Sequence, residues 1–115
     1  RPYTIHNAKE AVVVAEQQKE EYALSLEAQV KRNYFAYIAA QTELRGRVNA
    51  VLDATNEVKH LKYTFEKGET TFQVYNEALT SLYNQNSFRV QAELAVFTAK
   101  TNLEELLGAK LESIK

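Results

Sequence analysis

Cysteine is absent from the 115 residues, which excludes disulfides, thiolate metal sites and a cysteine nucleophile. The absence is compatible with an oxidising compartment. Proline occurs once, at Pro2, and glycine three times. So few helix breakers, beside abundant Ala, Glu, Gln, Lys and Leu, argue for long helices. No apolar run reaches the ~18 residues that a membrane-crossing helix needs. The net charge of −1 gives neither the basic face that nucleic acid requires nor a polybasic attraction to anionic lipid. The chain starts at Arg1 rather than Met, which implies processing or excision from a longer chain, with any signal peptide lost upstream.

What is present is a pattern with a period of seven. Val30, Tyr37, Leu44, Val51, Val58 and Phe65 recur at that interval, and Leu26, Tyr34, Val48, Ala54 and Leu61 fill in three or four positions away. That is an apolar seam with coiled-coil spacing. Asn7, followed three residues later by Glu10, reads as an N-cap with a capping box. From there to about Lys67 the only glycine is Gly46, so the spacing predicts one helix of ~60 residues, ~90 Å long at 1.5 Å per residue. Helices in compact globules average about three turns.

Gly68 then offers the one residue that enters a left-handed conformation cheaply, and it should end the helix. Thr70-Thr71-Phe72-Gln73 reads as a second capping box with Thr70 as N-cap. A second helix is predicted from about Thr71 to Leu107. It carries Phe72, Leu79, Leu82, Tyr83, Val90, Leu94 and Phe97 on one side. A different stripe gathers Phe88, Ala92, Ala95, Ala99, Leu103 and Leu106. Two stripes on one helix call for more than one neighbour. A single hairpin covers only one of them, so self-association or a further part of the chain is implied. The stripe Phe88, Ala92, Ala95, Ala99 and Leu103 is the expected packing surface towards another chain.

The fold expected is all-α: an elongated antiparallel helical hairpin, coiled-coil-like, with two long helices joined by a tight turn near Gly68. Residues 1–115 form a single helical-hairpin domain. Motifs for chemistry are missing. The pair Glu57 and His60 has the Glu-x-x-His spacing of di-iron bundles, but such sites need two pairs and two further carboxylates. The only other histidine is His6. The pair therefore reads as solvated helix surface. There is no Gly-rich phosphate loop, no Ser-His-Asp pattern and no carboxylate pair in an apolar setting. The chain is not expected to be an enzyme, and no catalytic, cofactor or metal residue is assigned. Tyr34, Tyr37, Tyr75 and Tyr83 lie on or beside apolar stripes and read as packing residues. Tyr63 and Phe65 flank the turn and are better placed for outside contacts.

The order of several short motifs resembles one repeat of the TolC-like outer-membrane efflux proteins. These motifs are the turn Phe65-Glu66-Lys67-Gly68-Glu69-Thr70-Thr71, then Glu77-Ala78, Leu82-Tyr83-Asn84 and Leu106-Leu107-Gly108. Upstream lie Val30-Lys31-Arg32-Asn33-Tyr34, Tyr37, Ala39-Ala40-Gln41 and Leu44. The resemblance spans roughly Ala8 to Gly108. It departs at Phe65, where the family usually has Tyr, and at Val74 and Asn76, where it commonly has Asp and Leu. It also lacks the two β-strands that each repeat places between its helices to build a barrel in the outer membrane. The chain would then be a fragment or half-repeat of a longer efflux protein, periplasmic by itself and reaching the membrane only through segments absent from it.

The resemblance implies a structural role: a piece of the periplasmic tube wall of an efflux or type I secretion channel, in the periplasm and outer membrane of a Gram-negative bacterium. It implies no cofactor. Its partners would be a neighbouring repeat or further copies (trimers in the family) and a periplasmic adaptor, or membrane fusion, protein. Docking is expected at the tip formed by Phe65, Gly68, Glu69, Thr70 and Thr71, since the family's tips close the pore and meet the adaptor. The alternative is a coiled-coil interaction or scaffold module with no transport role. An apolipoprotein-like lipid binder is disfavoured by the narrow apolar seam and mixed charges.

Overall fold

The computed structural model describes residues 2–114, with side chains described for residues 4–112. It contains two α-helices, α1 (Pro2–Glu66, 65 residues) and α2 (Phe72–Ile114, 43 residues). No strand occurs among the described residues. The architecture is the antiparallel helical hairpin that the heptad spacing anticipates. Two compact units are distinguished: Ala36–Lys100, which holds the turn, and Arg1–Phe35 with Thr101–Lys115. Each helix gives one arm to each unit.

In the unit Ala36–Lys100 the stripe of α1 formed by Tyr37, Ala40, Leu44, Arg47, Val51, Ala54, Val58 and Leu61 is half-buried throughout. Their steps alternate between three and four, the signature of a helix offering one stripe to a partner. On α2 the corresponding positions are Tyr75, Ala78, Leu82, Gln85, Arg89, Ala92, Val96 and Ala99. Ala92 is the most covered of these, 7% exposed. The seam is narrow and partly polar. Arg47 lies with its guanidinium 4.9 Å from the centroid of the Phe88 ring, a cation–π contact that also fixes which levels of α1 and α2 meet. Arg47 further bonds Glu43 on its own helix, and Arg89 bonds Glu93.

In the other unit Leu26 is the buried residue, 5% exposed, with Val30 and Asn33 half-buried beyond it. Leu103, Leu106 and Ala109 are half-buried on the α2 arm. All α1 side chains from Thr4 to Ser25 are exposed.

Four details differ from the sequence reading. Tyr34 and Val48 are exposed at 50% and 39%, and the seam passes instead through Asn33, Ala40 and Arg47. A strict repeat of seven from Leu26 selects those positions whatever their polarity, because the helix face is set by geometry and not by the residue. Helix α1 begins at Pro2, ahead of Asn7. A proline is tolerated in a first helical turn, where its missing N–H has no acceptor. The Glu10 carboxylate meets His6 Nε2 at 2.9 Å instead of reaching back to cap Asn7. Helix α2 continues past Leu107 and through Gly108 to Ile114. Glycine inside a helix costs only about 1 kcal/mol, and the half-buried Leu106 and Ala109 keep that turn packed.

The fourth detail concerns the second helix start. Thr71, not Thr70, is the N-cap: its Oγ1 accepts from the Val74 N–H at 3.2 Å, and its carbonyl accepts from the Tyr75 N–H at 3.2 Å. The residue three beyond Thr71 is Val74, so the box is not reciprocal. Gln73 turns to Glu77 instead, with Nε2 donating to Oε1 at 3.4 Å. Replacing Thr71 with Ala should therefore lower stability by about 1 kcal/mol, whereas Thr70→Ala should change it by much less. Urea unfolding followed by circular dichroism at one fixed protein concentration measures the difference. Equal effects at the two positions would contradict the assigned cap. In the seam, Gln85→Leu should stabilise the hairpin by about 1 kcal/mol, since Gln85 Oε1 is buried and meets no donor among the described residues. Destabilisation in the same measurement would show that the amide contributes a structural hydrogen bond.

Candidate functional site

The turn is built by the last residues of α1. The Gly68 N–H donates to the Phe65 carbonyl at 2.9 Å, and the Glu69 N–H donates to the Thr64 carbonyl at 2.8 Å. These two bonds, with Gly68 at φ 77°, form a Schellman ending, which satisfies carbonyls that a helix terminus otherwise leaves free. Gly68 is the described residue with positive φ. Nothing lies within 4 Å of where its Cβ would stand, so the conformation and not crowding demands glycine. The Lys67 N–H donates to the Tyr63 carbonyl at 3.2 Å, closing the final turn.

Three rings tie the two helix ends together. Phe65 stacks on Tyr75, with centroids 5.7 Å apart and planes 6° from parallel. Phe72 meets Phe65 at 5.9 Å and Tyr75 edge-on at 6.5 Å. Each ring sits where its helix places it: Phe65 at the end of the seven-residue repeat, Phe72 and Tyr75 on the first turn of α2. Beside them Lys67 Nζ lies 4.4 Å from the centroid of the Tyr63 ring. The tip thus combines an aromatic clamp with an exposed polar crest of Lys67, Gly68, Glu69 and Thr71, while Thr70 is half-buried.

The five tip residues singled out from the sequence fall together, but with different tasks. Gly68 and Thr71 define the backbone. Phe65 is 37% exposed and engaged with Tyr75, which makes it a part of the clamp with one edge outward. Glu69 presents its side chain freely. The sequence alone marks Tyr75 as a packing tyrosine and Phe72 as part of a stripe, without joining them to Phe65. The signal was there in the spacing of Phe65, Phe72 and Tyr75 around a glycine.

The stripe Phe88, Ala92, Ala95, Ala99 and Leu103 divides. Ala92, Ala99 and Leu103 lie in the covered seam of their own units. Phe88 is 40% exposed beneath Arg47, and Ala95 is exposed. The face of α2 that stands free is the other one: Tyr83, Val90, Leu94 and Phe97 are 73%, 54%, 64% and 66% exposed, while Phe72 belongs to the ring cluster and Leu82 to the seam.

Glu57 and His60 are both exposed, and among the described residues no three His, Cys, Asp or Glu side chains converge as a metal site would require. No described helix is long and apolar enough to cross a membrane. Compared with known protein families, curated proteins and solved structures, the chain matches none.

The clamp makes a measurable claim. Ring pairs of this geometry contribute about 0.5–1.5 kcal/mol beyond the area they bury. A double-mutant cycle of Phe65→Ala and Tyr75→Ala, read from urea midpoints, should return a coupling of that size. Strict additivity would mean that the two rings are neighbours without a stabilising contact.

Proposed function

We propose that the chain is a structural hairpin of a TolC-like outer-membrane efflux or secretion channel. In this reading it performs no chemistry. It forms part of the wall of a periplasmic tube, side by side with neighbouring repeats or further copies. Its tip around Phe65, Gly68, Glu69, Thr70 and Thr71 meets a periplasmic adaptor protein. The protein would reside in the periplasm and outer membrane of a Gram-negative bacterium, with membrane contact made by segments outside this chain.

One observation carries the reading. Helix α2 turns one stripe to α1 and presents another, with Tyr83, Val90 and Phe97 at intervals of seven, to the outside. A hairpin that served alone would need one stripe only. Contiguous apolar surface on a soluble chain marks a place where another surface docks. The fold, the place of the turn glycine and the order of motifs along both helices agree with such a unit. A coiled-coil scaffold shares the outward stripe but gives the turn no task.

The tip separates the two. In the full-length protein, Glu69→Lys should reduce transport and adaptor cross-linking while leaving helicity by circular dichroism unchanged, because Glu69 is exposed and lies outside the ring clamp. Glu16→Lys, on the exposed part of α1 far along the chain from the turn, should leave transport as it was. Normal transport by several such tip variants would remove the docking role and favour the scaffold.

A further inference from the structure

The free faces of the two helices match one another, and we infer that a second copy of the chain docks laterally, its α1 face on the α2 face of the first, with the two turns level. This rests on the reading of the chain as a wall-forming unit and adds to it the surfaces and the register.

The match begins with phase. On α2 the outward residues Tyr83, Val90 and Phe97 each follow a seam residue by one position: Leu82, Arg89 and Val96. On α1 the exposed residues Ile38, Arg45, Leu52 and Lys59 stand in the same relation to Tyr37, Leu44, Val51 and Val58. All lie in the unit Ala36–Lys100. In antiparallel helices an equal offset in sequence turns both faces to the same side of the hairpin. At ~100° per residue each face stands ~130° from the middle of its own seam. Faces at ~180° would give a flat row of hairpins. At ~130° the row curves, and every copy offers an α1 face to the α2 face of the next.

Level comes next. Arg47 over Phe88 ties those two heights together within the hairpin. Counting away from them along the two helices puts Ile38 level with Phe97, Arg45 with Val90, Leu52 with Tyr83 and Lys59 with Asn76. A copy set alongside with its turn at the same height keeps these pairs. Ile38 and Leu52, exposed at 40% and 57%, then meet the rings of Phe97 and Tyr83. Lys59 then lies beside Glu77, and Arg45 comes within a turn of Glu93, which Arg89 of the same helix already pairs. Arg45 and Lys59 have no ion pair among the described residues.

Charge decides against the symmetric alternatives. Two α1 faces laid antiparallel so that Ile38 meets Leu52 bring Arg45 against the partner copy's Arg45, and like charges opposed across an interface cost affinity. Two α2 faces avoid that clash but leave Ile38 and Leu52 of both copies in water. Only the α1-to-α2 arrangement covers both faces, and because it is heterologous it continues from copy to copy.

The absence of native cysteine makes the test unambiguous. Arg45→Cys and Val90→Cys are made as separate variants, each oxidised alone and as an equimolar mixture, and resolved on a non-reducing gel. The same is done with Leu52→Cys and Tyr83→Cys, and the wild-type chain is sedimented alongside. Covalent dimer in each mixture, with little from any variant alone, is the expected result. Strong dimer from Val90→Cys alone would overturn the inference in favour of paired α2 faces. A self-associating wild type with no dimer in either mixture would overturn the faces and register while leaving the wall-forming reading in place. A wild type that sediments as a strict monomer at high concentration would remove both.

Discussion

A helix pair has one mutual contact line, and everything else in this molecule follows from that limit. Each helix can bury one narrow stripe against the other, with steps of three and four. Leu26 and Ala92 are the two side chains that become buried, while twenty-three large apolar side chains remain exposed among the described residues. A core of that size offsets little of the ordering entropy of two long helices. Apolar residues outside the seam therefore stay exposed.

The turn shows how local chemistry serves this arrangement. The chain must reverse where the two seams run out, and it does so with a left-handed glycine, two bonds back into α1, and a threonine that starts α2. The rings of Phe65, Phe72 and Tyr75 then hold the reversal together where the stripe itself is thin. Glu69 projects from that end.

Much of this was legible in the sequence, because a period of seven and a glycine between two cap signals are strong local rules. The positions Val30, Tyr37, Leu44, Val51 and Val58 and the reversal at Gly68 stand where the spacing put them. Hydrophobicity misled where the helix face ran through polar or small residues. Asn33, Ala40 and Arg47 lie in the seam, and Tyr34 and Val48 lie outside it. On α2 the small residues Ala92 and Ala99 line the seam and the large Tyr83 and Phe97 face out, the reverse of a reading that gives the larger residues to the nearer neighbour. The cap moved by one because Thr70 and Thr71 are chemically alike and only the backbone path distinguishes them. Asn7 and Gly108 carry end signals that continued helix geometry overrides.

The central claim is that the hairpin is completed by cover from outside itself. Thermal unfolding by circular dichroism, repeated over a wide range of protein concentrations, tests it most directly. Association of folded chains stabilises them by mass action, so the midpoint should climb with concentration. A midpoint that stays constant over the whole range, with a cooperative transition, would contradict the account.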